Sequence, residues 1–308
     1  IHSYLIEKLR YGENPHQNAA IYSLDNNQII KQLSGKKLSY NNYNDILSSL
    51  LISKSFPKNI GTLILKHATP CGVSIDNNKV KSYKLALSSD PVSAFGGIVC
   101  CNYKINFKLA YELNKTFFEV VICNGLEKKA LKILKKRKNL RIIDASKIQV
   151  NNSNNLTKNL NSLLIQSGDN KIFSKKNFEI VSKHKPSKKT LSNLIFAFNV
   201  CRFVKSNAIV IAKDKSTIGI GTGQPSRIDS CEIAINKINK FQNISHNDRI
   251  VAASDAFFPF VDGIEKLIQA GVKAIIQPSG SIKDKEIIKF ANKTNTVLVF
   301  SKTRHFKH

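Results

Sequence analysis

Lys66 and His67 close a short apolar run, Leu63-Ile64-Leu65, and lead into Ala68-Thr69-Pro70-Cys71-Gly72. The run reads as a buried strand, and the Pro and Gly beyond it predict a turn. An ammonium beside an imidazole at a strand end is placed for acid-base work near neutral pH, since α/β folds form their ligand crevice there. Taken alone, the dipeptide fits a solvent-reaching lysine and a hydrogen-bonded core histidine better, so its weight depends on other stretches converging on it. Pro70-Cys71 has the look of half a zinc deaminase site. The second Cys two residues on is missing, as is a His-x-Glu element, so catalytic zinc is rejected.

Other stretches carry polar chemistry. The Gly-rich loops at residues 221–227 and 278–281 each precede a predicted helix and would present backbone N–H groups to an anion. Neither matches a P-loop or a dinucleotide fingerprint, and each alone is more often a plain turn. Arg10, Arg227 and Arg304 stand in polar loops of a chain that otherwise uses Lys, and the planar guanidinium suits phosphate or carboxylate. Phe257-Phe258-Pro259-Phe260 is either core or a wall against which a flat heterocycle stacks.

The elements that must position these groups alternate in type. Helices are predicted over residues 43–54 (capped by Asn42 or Asn44), 80–87, 107–114, 127–138, 187–205, 229–239, 265–270 and 285–293. Strands are predicted over 19–22, 98–101, 118–122, 140–143, 207–212, 217–221, 250–253, 274–276 and 297–300. The alternation predicts an α/β fold with mainly parallel sheets covered on both faces. Residues 150–161 are rich in Asn and Ser, which places a hinge between units 1–150 and 151–308. Ser89-Asp90 followed by Phe95 is echoed by Ser254-Asp255 followed by Phe260, a hint that one unit is duplicated.

A chain of 308 residues is more than one compact core usually organises, and 42% hydrophobic content excludes wholesale disorder. No apolar run reaches the roughly 18 residues of a membrane span. The six cysteines lack Cys-x-x-Cys spacing and read as buried thiols in a reducing compartment, so cytosol is expected. Net charge is +27, but the Lys residues are spread through a chain rich in Lys, Asn and Ile, with one concentration at 128–141. That pattern favours attraction of an anionic substrate over a nucleic-acid face. The absence of Met, a first one included, suggests that residue 1 is not the natural start.

Together the motifs are specific. RYGENPHQ (10–17), LKHATPCG (65–72), SDPVSAFGG (89–97), IGIGTGQPSRI (218–228), SDAFFPFVDG (254–263), QPSGSIKD (277–284) and TRHFKH (303–308) resemble, in order, the formyltransferase domain of the bifunctional purine-biosynthesis family. Its members carry AICAR formyltransferase and IMP cyclohydrolase activities; the resemblance covers nearly the whole chain and leaves the cyclohydrolase domain out. It implies two cytidine-deaminase-like α/β/α units without zinc. It implies formyl transfer from 10-formyltetrahydrofolate to aminoimidazole-carboxamide ribotide (AICAR), with Lys66, His67 and Asn207 as catalytic residues. Arg10, Tyr11, Asn42, Gly96, Glu119, Phe257 and Arg304 match positions that hold the ribotide. Phe95, Arg227, Ile228, Pro259 and Asp262 match the folate side. Glu119 replaces an Asp of some members, and Gly263 an Asn, which removes one folate contact. The resemblance further implies a homodimer with interfacial active sites, no nucleic-acid or membrane partner, and room for a structural monovalent cation near the C-terminal loop.

Overall fold

The computed structural model describes residues 3–23, 30–148, 154–159, 162–171, 173–245 and 247–308. The boundary expected at 150/151 lies outside the described residues. In the first half, β1 (Tyr4–Leu9) and β2 (Ala19–Ser23) form a hairpin of their own. There follow β3 (Lys31–Ser34), α1 (Tyr40–Lys54), β4 (Gly61–Lys66), β5 (Thr69–Ile75), α2 (Lys79–Ser89), α3 (Pro91–Ala94) and β6 (Ile98–Cys101). After them come α4 (Phe107–Leu113), β7 (Val120–Cys123), α5 (Lys128–Leu134) and β8 (Arg141–Asp144). A second hairpin, β9 (Asn154–Asn159) and β10 (Ser162–Ser167), leads to the other half. That half holds β11 (Phe178–Ile180), α6 (Lys188–Cys201), β12 (Ile209–Lys213), β13 (Ser216–Gly221), α7 (Arg227–Phe241) and β14 (Ile250–Ser254). It ends with α8 (Asp262–Gln269), β15 (Val272–Pro278), α9 (Asp284–Lys293) and β16 (Val297–Ser301).

Twelve strands form one sheet in the order β11-β16-β15-β14-β12-β13-β5-β4-β6-β7-β8-β3. Read outward from its centre, each half has the same plan: a tight hairpin, three parallel strands, and an antiparallel edge. Only β14-β15-β16 and β6-β7-β8 run parallel, so the sheet is mixed and the expectation of a mainly parallel one is corrected. The reason is local: two-residue turns join β4 to β5 and β12 to β13, and a turn that short can only connect antiparallel neighbours. Alternate residues feed opposite faces. Leu63, Leu65 and Val73 join α1 and α6 in a core that spans both halves, while Ile64 and Val99 pack under α2, α4 and α5. Residues such as Ile209, Ile275 and Leu298 do the same under α7, α8 and α9.

Three sequence expectations are revised. Pro70 and Gly72 do not turn the chain but lie within β5. Pro70 sits beside a bulge, where its missing N–H is tolerated, and Gly72 lets α2 approach so closely that a Cβ would stand 1.9 Å from the Ala86 carbonyl oxygen. Helix α1 is capped by Ser39, not by Asn42 or Asn44; Asn42 is the reciprocal partner in a capping box. The Ser-Asp echo falls at non-equivalent places, because Ser89-Asp90 ends α2 whereas Ser254-Asp255 ends β14, so it is not the feature that the two halves share. No helix among the described residues is long and apolar enough to cross a membrane.

Candidate active site

The β4–β5 turn carries His67 and Ala68 at φ 53° and 55°, left-handed values that both central residues of a type I′ turn require. Asn-Gly would adopt them easily; His-Ala does so only under constraint. The constraint is visible on the peptide of Ala68. Its N–H donates to Asp45 Oδ1 on α1 at 2.7 Å, and its carbonyl accepts from Lys307 Nζ at 3.5 Å. Burial pushes the Asp45 carboxyl above its ordinary range, against the pull of the backbone amides and of the nearby His67. Burial, aided by Lys205, lowers the Lys307 ammonium. His67 is exposed and opens onto a pocket of ≈ 270 Å³ shared with Glu13, Asn41, Asn44, Asp45 and Lys205.

Lys66 points the other way and donates to the Phe95 carbonyl at 2.8 Å. The chain there turns through Gly96 at φ 74°, where a Cβ would come within 3.9 Å of Lys66 Nζ. Helix α3, which presents this turn, is capped by Asp90, whose Oδ1 accepts the Ser93 N–H and whose Oδ2 accepts Lys237 Nζ from α7 at 2.5 Å. Burial raises the Asp90 carboxyl, but the Lys237 and Ser93 hydrogen bonds outweigh it and hold the group below 3.8. Gly97 O accepts the Glu119 N–H, and the Glu119 carboxylate meets Asn42 Nδ2 at 3.1 Å and Arg141 at 3.7 Å. Lys66, Phe95, Gly96, Glu119 and Asn42 are thus brought together on one ledge. Arg10 stacks over Tyr11 at 5.5 Å, and their loop reaches α1 through Asn41 Nδ2 on Glu13 O.

A second cluster gathers at a cleft of ≈ 480 Å³ lined by Asn207, Arg227, Ile228, Phe257, Pro259, Asp262 and Arg304. Arg227 is 8% exposed and is committed internally: it ion-pairs with Asp255, donates to Ser254 Oγ at 2.8 Å, and holds Asn207 Oδ1 at 2.6 Å. Its guanidinium therefore positions Asn207 while still lining the cleft. Asn207 Nδ2 donates to Gln224 O and Pro225 O, both at 2.8 Å. That network fixes the amide orientation, since a flip would face the carbonyl oxygen with two others. Asn207 must then exchange one acceptor to donate to a reacting group. Arg304 lies over Phe306 at 4.3 Å, at the rim. No hydrogen bond among the described residues joins the Lys66 ledge directly to Asn207; Lys307 links them through Ala68 O, Phe203 O and Ser206 Oγ.

Sequence reasoning missed Asp45, Lys205, Asp255 and Lys307. Asp255 alone had a local signal, the Ser-Asp at a strand end. Among the described residues no group of His, Cys, Asp and Glu could hold a metal ion. Burial and the Asp90 charge push the Cys71 thiol up to about 12, so it stands as an unreactive buried thiol. At the C-terminal loop the two carboxylate oxygens of Asp255 accept from Ser206 and Arg227.

The structure defines an α/β protein that sets an imidazole and an arginine-held amide at two open clefts, with an ammonium next to the imidazole in the chain. The chain belongs to the AICARFT/IMPCHase bienzyme family, whose model matches residues 2–237. It is 44% identical over 312 residues to a bifunctional purine biosynthesis protein PurH of Buchnera aphidicola, with 98% of this chain covered. The PurH proteins of Fusobacterium nucleatum and Caldicellulosiruptor saccharolyticus are 44% and 43% identical over 306 and 311 residues. The chain spans 59% of the length of these relatives.

Proposed function

We propose that this chain transfers the formyl group of 10-formyltetrahydrofolate to the 5-amino group of AICAR, releasing formyl-AICAR and tetrahydrofolate. What carries the reading is the family match together with the clamped turn that presents His67 to an open pocket, with Lys66 beside it on Phe95 O. The amine of AICAR is conjugated into the imidazole carboxamide and is a weak nucleophile, so its proton must leave as the C–N bond forms. His67 is the base. The formyl oxygen gains charge in the tetrahedral intermediate, facing the Lys66 ammonium, which spends one of its hydrogens on Phe95 O. Asn207 adds a donor by exchanging Pro225 or Gln224. The C–N bond to folate N10 then breaks as that nitrogen takes a proton from Lys66 or from the imidazolium of His67.

In this reading Arg10, Tyr11, Asn42, Gly96, Glu119, Phe257 and Arg304 hold the ribotide, and Phe95, Ile228, Pro259 and Asp262 the folate, with Arg227 acting through Asn207. The repeated strand plan supports two cytidine-deaminase-like units, 1–150 and 151–308. The unjoined clusters, and Phe95 at 61% exposure, support a homodimer in which the ledge of one protomer meets the cleft of its partner. Six buried free thiols suit a cytoplasmic protein.

The test is release of tetrahydrofolate by the chain, read spectrophotometrically with each substrate omitted in turn. Turnover that needs both supports the proposal; none from a folded dimer rejects it. Mixing inactive His67→Ala and Asn207→Ala subunits tests the interface: activity returns in hybrids if the two residues meet across it, and stays absent if each site is built from one chain.

A further inference from the structure

We propose that Asp45 is a positioning residue that acts through His67 by its charge as well as by its hydrogen bond. The chain contains its own control. The β12–β13 turn repeats the β4–β5 turn, with Asp214 and Lys215 at φ 48° and 56°. There too a helix side chain accepts the N–H of the second turn residue: Asn193 of α6 takes the Lys215 N–H at 3.0 Å, as Asp45 of α1 takes that of Ala68 at 2.7 Å. An amide therefore suffices to hold such a turn in this fold. At the turn that carries His67 the acceptor is a carboxylate instead, kept in a half-buried place where ionisation is costly.

The surroundings give the charge its use. His67 shares its pocket with Lys205 beyond α6, and the Lys307 ammonium reaches the same turn at Ala68 O, against Glu13 from the first loop and Asp45 on α1; Lys66 turns away to Phe95. Both Lys205 and Lys307 oppose a positive charge on the imidazole. Glu13 is exposed, whereas Asp45 is held to the turn that carries His67 by its bond to the Ala68 N–H and lines the same pocket. A base that must hold a proton while the intermediate forms needs that counter-charge.

The inference rests on the proposed role of His67, so its test has one arm independent of turnover. Asp45→Asn retains the acceptor and removes the charge; Asp45→Ala removes both. In Asp45→Asn the ring signals of His67, followed by NMR without substrates, are expected to titrate at a pH lower by about half a unit or more. Where the chain turns over, kcat falls on the order of tenfold, the acid limb of its pH profile moves down, and KM for the ribotide is unchanged. Asp45→Ala adds a loss of thermal stability that Asp45→Asn lacks. An unmoved His67 titration in Asp45→Asn overturns the proposal whether or not the chain is active. So does an Asp45→Asn variant as unstable as Asp45→Ala, which would show that an amide does not hold this turn and that the comparison with Asn193 fails.

Discussion

Gly221→Ala probes how the second cluster is held. A Cβ at residue 221 would lie 1.8 Å from the Ser230 carbonyl oxygen, 2.6 Å from its carbon and 2.9 Å from its Cα. All three are backbone atoms of α7, so no side-chain rotation relieves the clash. Ordinary non-bonded contact begins at about 3.5 Å, so the helix would have to retreat by more than about 1.5 Å. Gly219, two residues earlier on the same face, lies as close, with a Cβ position 2.2 Å from Ala234 O, and leaves the helix no room to pivot. Overpacking of this kind costs about 1–3 kcal/mol, or a fall in Tm on the order of 5 °C for a chain of this size. Because α7 begins with Arg227, the retreat also draws the guanidinium from Asn207 and Asp255. Gly223→Ala is the matched control: its φ is +68° but nothing lies within 4 Å of the added carbon, so only backbone strain of about 1 kcal/mol applies. Calorimetry and formyl transfer measured on both variants decide the matter. A Gly221→Ala protein with the Tm and kcat/KM of Gly223→Ala would refute the close-approach argument.

The turn and the inter-half contact offer further checks. Ala68→Gly should shift Tm by no more than a few degrees. Relief of the left-handed strain, about 1 kcal/mol, is offset by the freedom glycine gains in the unfolded chain. Ala68→Val should lose more than about 1 kcal/mol by the same measurement, because a β-branched side chain resists that φ. Lys237→Met leaves the Asp90 carboxylate buried and unpaired and should cost about 2 kcal/mol at neutral pH by urea titration. The pairing holds the folded-state pKa of Asp90 below 3.8, so its stabilisation is present above 3.8 and lost as pH falls through the folded value. The two proteins should therefore converge in stability as pH falls from 3.8 through the folded value, and a gap that stays constant across the whole acid range would remove Asp90 as its source. Dialysis against a chelator should leave turnover within about twofold, since no group of His, Cys, Asp and Glu among the described residues could hold a metal ion, and a zinc-restorable loss would reverse that reading.

The sequence made the buried interior readable and the edges unreadable. Strands such as Ile250–Ser254 and Val297–Ser301 are continuous apolar runs, and nothing else fits them. Strand β5 was hidden because Pro70 and Gly72 are breakers by type, and only the bulge and the packing of α2 show why both belong there. The edge strands Lys31–Ser34 and Phe178–Ile180 are too short and polar to carry a period. Lys66 and His67 announced themselves through their motif. Asp45 and Lys307 did not, because they reach Ala68 from 23 and 239 residues away and nothing local marks them. Arg227 was recognisable as special but not as internal, since its partners Asn207 and Asp255 are assembled only by the fold.

The most direct test of the whole account is kcat for tetrahydrofolate release by His67→Ala, set beside ribotide affinity measured by calorimetry. His67 is exposed at the tip of its turn, so its truncation leaves the core intact. The account predicts a fall in kcat of about 10²–10⁴ with ribotide affinity held within a few-fold. A variant that keeps its kcat, or that loses ribotide affinity in proportion, would contradict His67 as the base.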